Sequence, residues 1–383
     1  MNFLVFGAGM MANGLIFDLT KNKEAKEIVV VDRDQKALDN VKKRFSDKRV
    51  ECVKGNIDEV SSLARLLKAK DCAINATHYK YNYDLSRLCI EAGVNFCDMG
   101  GNNDVVSRQF TLSGEATRME VSVLPDLGLA PGMAGLAALR FCEGFDELDT
   151  VKIRVGGVPL SPDNKLGYQL VFSVEGLINE YMEKALILKD GKELEVESMS
   201  GLEYLDFPAP YGRMEAFYTS GGISTLTKTL KGKVKNLDYK TLRYPGHCDL
   251  VSFLIDLGLA SSKDVELKGL RISPRRFLGK ILSDYLPSGR PDAVLVRIEI
   301  EGKKKGRDVC IIHEMIDEYD PDSGLSAMQR TTAFPVSIIA QMLASGKISK
   351  KGVLKQEESV PRDEFMKELE NRGIRFKNMS CVI

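Results

Sequence analysis

The feature that most narrows the possible folds lies at the very start of the chain. Asn2 to Phe6 (NFLVF) is a short apolar run of strand formers, broken at Gly7-Ala8-Gly9 and followed by MMANGLIFDLTK, whose apolar residues recur at helical spacing. The turn reads GxGxxA: Gly7 permits a sharp reversal, Gly9 lets a pyrophosphate approach the backbone, and Ala12 keeps the helix close to the strand. The amides of Met10 and Met11 at the helix start then face the phosphates. A second strand, EIVVV from Glu27, ends in Asp32, where a carboxylate can accept hydrogen bonds from an adenosine ribose. Four elements in this order predict a dinucleotide-binding βαβ unit. The alternative is a glycine turn in an unrelated α/β protein, with Asp32 merely solvated. Asp32 would repel the extra phosphate of NADP, whereas Arg33 would accept that phosphate or stack on adenine, so the sequence favours NAD over NADP.

Further strands are expected at Val50 to Val53, Cys72 to Asn75 and Val94 to Cys97, alternating with helical patterns such as YDLSRLCIEAG. That rhythm gives an α/β class with a Rossmann-type, doubly wound parallel sheet. Ligands of open α/β sheets lie beyond the carboxyl ends of the strands, so Ala76, Thr77, Asp98 and Gly100 should border the nicotinamide half of a cofactor. Asp98 could equally cap its own glycine-rich loop, and His78 on the same edge reads as solvated or catalytic.

At 383 residues the chain is long for one core and should form two lobes with a cleft, a third domain being possible. Lysine plus arginine balance aspartate plus glutamate at 54 each, so no net field favours a nucleic acid or an anionic membrane surface. No apolar run approaches the roughly 18 to 20 residues of a bilayer crossing. The first residues enter a structured pattern with no basic leader, which makes the cytoplasm the expected compartment. Eight scattered cysteines without a CxxC pair, and only three histidines, read as reduced core thiols rather than a zinc site.

After Pro125 the pattern changes to strands: TVKIRVGG, the hairpin ALILKDGKELEVES turning at Asp190-Gly191, and VLVRIEIEG paired with DVCIIHEMIDEY. A mixed or antiparallel sheet follows. The Thr219-Ser220-Gly221 start of TSGGIST offers hydroxyls and amides to a carboxylate or to the cofactor amide, or is a plain loop. Arg243, Tyr244 and His247 group a guanidinium, a phenol and an imidazole within five residues. Arginine is the preferred partner of an amino-acid carboxylate, although Arg243 and His247 could instead be structural. His313 reads as cross-strand packing. Pro131-Gly132-Met133 should open a helix that begins the second lobe, Pro335 a helix that stops at Gly346, and Pro361 one that stops at Gly373.

Several segments resemble the saccharopine dehydrogenase superfamily: GVNFCDMGG at 93 to 101, PDLGLAPGMAGLAAL from Pro125, and TTAFPVSIIAQMLASGKISKKGV from Thr331. Within it the middle is most similar to lysine 6-dehydrogenase, through VGGVP, FSVEGLINEY, EAFYTSGGISTL and YKTLRYPGH. Ala130 stands where saccharopine-forming relatives usually carry aspartate, which points the same way. The resemblance implies a dinucleotide domain over 1–124, an inserted α+β substrate and dimerisation domain over 125–330, helices over 331–383 returning to the first domain, and commonly a homodimer. It also implies oxidative deamination of the lysine side-chain amine to 2-aminoadipate 6-semialdehyde, with NAD and release of ammonia. The amine must first become neutral, and moving its pKa from 10.4 to about 7 costs ~4.6 kcal/mol. A nearby carboxylate would oppose that, so His247 is the expected proton acceptor and Asp98 a positioning group. The rivals are an imine-linked dehydrogenation of saccharopine or a carboxyalkyl polyamine, needing a second anchor such as Arg213 or Arg154, and a non-catalytic NAD-binding regulator.

Overall fold

The structure, a computed structural model, describes residues 1–381, which divide into two compact units. The first comprises Met1–Arg140, Ile223–Leu226 and Gln329–Arg375. Its centre is a seven-stranded parallel sheet built from β1 (Asn2–Phe6), β2 (Glu27–Asp32), β3 (Val50–Lys54), β4 (Cys72–Asn75), β5 (Asn95–Asp98), β6 (Ser122–Leu124) and the short strand Gly352–Val353. The order runs Gly352–Val353, β6, β5, β4, β1, β2, β3. Chain order reverses at β1, the switch point at which doubly wound sheets open for a ligand. Phe3, Leu4, Val5 and Phe6 are fully buried, as are Cys72, Ala73 and Ile74, which is why these strands read as unbroken apolar runs rather than alternating ones. Register pairs Phe6 with Val31 and Asn75, and Asn75 with Asp98, so one rim collects the carboxyl ends of β2, β1, β4 and β5.

The helix containing Pro335 corrects the sequence reading. It runs Ala327–Ala344 with Pro335 inside it. Its early turns are fixed by tertiary contacts that outweigh the lost donor: Gln329 donates to the carbonyl of Met10, and Gly14 of the first helix leaves room for Gln329 and Ala333, whose atoms lie 2.9 Å from where a Cβ would sit. Pro361 does cap the helix Arg362–Asn371, which ends before Gly373 in a left-handed conformation. The helix Met133–Cys142, read from sequence as the start of the second lobe, belongs with the first unit through Arg140.

The second unit holds Phe141–Gly222, Thr227–Met328 and the chain end. Its nine-stranded sheet runs Glu203–Phe207, Gly212–Tyr218, Asn236–Arg243, Glu147–Pro159, Asp292–Lys304, Arg307–Glu318, Lys377–Cys381, with the hairpin Ala185–Lys189 and Lys192–Val196 branching from Asn236–Arg243. Only Asn236–Arg243 against Glu147–Pro159 is parallel on this path, so the sheet is mixed. Asp190 and Gly191 both take positive φ at the hairpin turn, as the DG pair demands. Helices Val174–Met182, His247–Asp256 and Pro274–Tyr285 share a small core through Ile178, Leu254, Ile255, Leu278 and Leu282. His313 stacks on Phe141 at 3.7 Å between ring centroids, a packing role.

Among the described residues no helix is long and apolar enough to cross a membrane, and no cluster of His, Cys, Asp or Glu could hold a metal. Seven cysteines are free thiols, six of them buried; the side chain of Cys381 lies outside those described.

Candidate functional site

The glycine turn and the first helix form an anion cradle. Gly7 has φ +103°, and a Cβ on it would lie 2.6 Å from Thr77 Cγ2, so only glycine fits the bend. Gly9 is different: a Cβ there would meet no protein atom within 4 Å. Nothing in the chain's own packing requires a glycine at that position, but a pyrophosphate lying against the backbone would. The helix Met10–Lys21 starts with no side-chain cap and no acidic residue in its first turn, leaving its amides and its positive dipole end for an anion. Ala12 is fully buried against the sheet. These residues fit a dinucleotide.

Asp32 is held by the same turn. One carboxylate oxygen accepts from the Ala8 amide at 2.8 Å and the other from the Asp34 amide at 2.8 Å. Each keeps a lone pair for a ribose hydroxyl. Arg33 is 73% exposed and 3.6 Å from Asp58, a weak surface pair that leaves its guanidinium open to a phosphate.

On the rim, the Thr77 amide and hydroxyl both donate to Asn75, which fixes the Ala76-Thr77 bend over Gly7. Asp98 is fully buried. It accepts from the amides of Gly100 at 2.8 Å and Asp126 at 3.2 Å and from Gln109 at 2.8 Å, so the loop-capping reading describes its contacts. Burial lifts its pKa to about 6 against those three bonds.

Asp126, which the sequence reading passed over, is the carboxylate left with an unpaired oxygen. It lies two residues beyond β6, in the left-handed region at φ +63°, and is 2% exposed. Ser224 donates to Oδ2, while Oδ1 is buried with no hydrogen-bond partner. Gly100 must lack a side chain because its Cβ would fall 2.0 Å from that Oδ1. Burial, then the charge of Asp98, pushes the Asp126 pKa up to about 7. Glu357, also buried, accepts both bonds of the Thr225 hydroxyl at 2.9 and 2.8 Å and is likewise raised by burial. The signal was available: Asp126 is an acid at a strand's carboxyl end, the rule already applied to Asp98.

The second unit gathers a different set. Arg243, at the end of its strand, is 2% exposed. Its Nε donates to the Tyr181 hydroxyl at 3.0 Å and Nη1 to the Leu242 carbonyl at 2.9 Å, and its guanidinium lies 4.9 Å from the centre of the Tyr168 ring. His247 is 1% exposed; Nε2 sits 3.0 Å from the Tyr181 hydroxyl and Nδ1 2.9 Å from the Leu166 carbonyl. A carbonyl can only accept, so Nδ1 carries the proton and Tyr181 donates to Nε2. Burial, then the Arg243 charge, depresses the His247 pKa to about 3. His247 therefore fixes the Tyr181 hydroxyl and offers no free nitrogen, contrary to the proton-acceptor expectation.

The remaining expected residues serve this framework. Thr219 bonds Thr241 at 2.7 Å between hydroxyls, and Ser220 donates its amide to the Glu180 carbonyl at 3.0 Å. Gly221 supplies a positive φ before the chain passes at Ile223 into the first unit. Tyr244 donates to the Pro159 carbonyl at 3.1 Å. The sequence reading also missed Tyr181 and Glu180, whose neighbouring positions in an ordinary amphipathic helix carry no local signature.

Known proteins place this architecture. Residues 3–123 match the saccharopine dehydrogenase NADP binding domain and residues 128–374 the saccharopine dehydrogenase C-terminal domain. The chain belongs to the saccharopine dehydrogenase family. Family membership makes it an oxidoreductase whose first unit is built for a nicotinamide cofactor. It is 22% identical to the NADP(+)-dependent, L-glutamate-forming saccharopine dehydrogenase of Saccharomyces cerevisiae, over all of this chain and 99% of that one. That alignment runs over 460 positions against 383 residues here, so the yeast member of the family carries segments without a counterpart in this chain. The bovine mitochondrial alpha-aminoadipic semialdehyde synthase is 21% identical, over 99% of this chain and 48% of that protein, so this chain spans about half of such synthases. The solved apo structure of the yeast saccharopine dehydrogenase superposes with a TM-score of 0.81 over the whole of both chains at 20% identity, which shows a shared fold.

Proposed function

We propose that this saccharopine dehydrogenase family member oxidises the side-chain amine of lysine to 2-aminoadipate 6-semialdehyde, releasing ammonia. The observation that carries the reading is the count of buried carboxylate anchors. Two arginines are buried among the described residues. Arg154 is neutralised by Glu203 and Asp238, and Arg213 lies exposed over the Tyr204 ring. Arg243 alone of the three is buried with its guanidinium outside hydrogen-bonding range of any carboxylate. One such anchor suits a substrate with one carboxylate, and saccharopine carries three.

A bound nicotinamide ring would supply the hydride acceptor. Gly7, Gly9 and the amides of Met10 and Met11 would hold the cofactor's pyrophosphate, and Ala76, Thr77 and Gly100 would border the ring. The proton acceptor that the first unit itself offers is Asp126, with a pKa near 7 and one oxygen held by Ser224. Asp98 keeps the Gly100 to Asp126 loop in place, and His247 keeps Tyr181 on Arg243. Loss of hydride from the amine-bearing carbon leaves an iminium, which water converts to aldehyde and ammonia. For the cofactor we take NADP: the open Arg33 and the NADP-binding relatives support it, against the NAD that Asp32 favours from sequence. The second reading, saccharopine itself as substrate, is supported by the full-length likeness to the yeast saccharopine dehydrogenase.

Rates of reduced-cofactor formation with lysine, saccharopine and a carboxyalkyl polyamine, each with NAD and NADP, test all of this. Lysine turnover with NADP is expected. Turnover of saccharopine alone would assign the second reading, faster rates with NAD would return Asp32 to the ribose, and cofactor binding without any turnover would make the protein a regulator.

A further inference from the structure

Around Arg243 two buried polar atoms remain unsatisfied, where burial makes that costly. Glu180 Oε2 and the Tyr168 hydroxyl are both buried without a hydrogen-bond partner. Arg243 Nη2 makes no hydrogen bond and lies 3.9 Å from Glu180 Oε2. Were Glu180 simply the structural counter-ion of Arg243, the pair would close to hydrogen-bonding distance, as Arg154 does with Asp238 at 2.6 Å. It stays open instead, with the Glu180 side chain 22% exposed although Oε2 itself is buried. The helix Val174–Met182 sets this up by presenting consecutive residues to the guanidinium: Tyr181 takes Nε, and Glu180 stands off Nη2. The Ser220 amide on the Glu180 carbonyl holds the helix end in register.

We propose that Glu180 binds the α-ammonium group of the substrate, so that the Arg243 pocket is a receptor for the complete zwitterionic headgroup of a free α-amino acid. The carboxylate goes to Arg243 Nη2 and the Tyr168 hydroxyl, and the ammonium to Glu180 Oε2, which satisfies both orphaned oxygens and gives Nη2 a partner. This rests on the amine-dehydrogenase reading above but makes a separate demand, on the α-amino-acid headgroup. Diamines lack the carboxylate, 6-aminohexanoate lacks the α-ammonium, and lysine within a peptide lacks both charges, so each should be a poor substrate.

The decisive comparison is kcat/KM for lysine against 6-aminohexanoate, with the full-length wild type and with Glu180→Gln. The wild type should favour lysine by roughly 10- to 100-fold, the factor that one charge-assisted hydrogen bond gives. In Glu180→Gln the lysine value should fall by that factor through KM, with 6-aminohexanoate unchanged, so the preference collapses toward one. A wild type that uses both equally, or a variant that loses the same factor on both, would overturn the proposal and leave Glu180 a structural residue bridged by water. If the wild type oxidises no amine, the reaction reading has failed on its own, and calorimetric binding of the two amino acids decides this one: tighter binding of lysine than of 6-aminohexanoate, lost in Glu180→Gln, supports it, and equal binding refutes it.

Discussion

The two units differ in what surrounds their buried charges. The first places Asp98, Asp126 and Glu357 out of water, without an ion pair among the described residues, held by amides, one amide side chain and hydroxyls. Burial there raises carboxylate pKa values toward neutrality. The second surrounds one guanidinium with tyrosines and a standing-off carboxylate, and burial there lifts Glu180 to about 7 as well as stripping the proton from His247. The contrast separates proton handling from charge recognition. A carboxylate poised near pH 7 can accept a proton from an amine, whereas a permanent cation cannot exchange one but anchors an anion at every working pH.

The largest expected effect is from Arg243→Leu. Losing a buried charge-assisted anchor should raise KM for lysine by roughly 100- to 1,000-fold, with kcat changed far less; a drop confined to kcat would break the division of labour between the units. Next, His247→Ala should lower unfolding free energy at pH 7 by about 2–4 kcal/mol in urea titrations, through the cavity and the released Tyr181. Because the folded-state pKa of His247 lies below the unfolded one, its neutral ring stabilises the fold above about pH 6.5, and that stability is lost as pH falls toward about 3. The gap between variant and wild type should therefore narrow on acidification. An unchanged stability with a collapsed pH–rate profile would restore His247 as the proton acceptor.

Asp126→Asn sharpens the other side. The folded-state pKa of Asp126, about 7, lies above its ordinary value, so the wild type is most stable below about pH 4 with respect to this group and loses stability as pH rises through 7. The variant lacks that loss and should gain on the wild type by about 1–3 kcal/mol between pH 4 and 8, while the neutral-pH limb of kcat/KM disappears. A retained limb would assign the proton to another group. The smallest effect is from Gly9→Ala: cofactor affinity should fall by roughly tenfold while Tm moves by about a degree or less, since the added methyl meets only the pyrophosphate's space. Equal cofactor affinity would show that the phosphates do not lie there.

Much of the scaffold was legible before any coordinates. Strands β1, β2 and β4 were readable because burial on both faces makes their apolar runs continuous, and the Asp190-Gly191 hairpin because its turn demands positive φ. The start of the Pro335 helix was not, since local proline chemistry was overridden by packing against Gly14. In the candidate site the glycine turn and Arg243 were visible. Asp126 was missed although the same strand-end rule points to it, and Glu180 and Tyr168 have no local pattern at all.

By itself the sequence determined the dinucleotide unit and the strand-rich second unit, because spacing of glycines and apolar residues is dictated by local backbone geometry and by which faces must leave water. Only the tertiary structure decided which polar groups hold the frame and which are left to act. That depends on whether partners from distant segments arrive: Gln109 completes Asp98 and Leu166 completes His247, while Asp126 Oδ1 and Glu180 Oε2 receive none. The cost of leaving such an atom unpaired appears only when the chain closes around it.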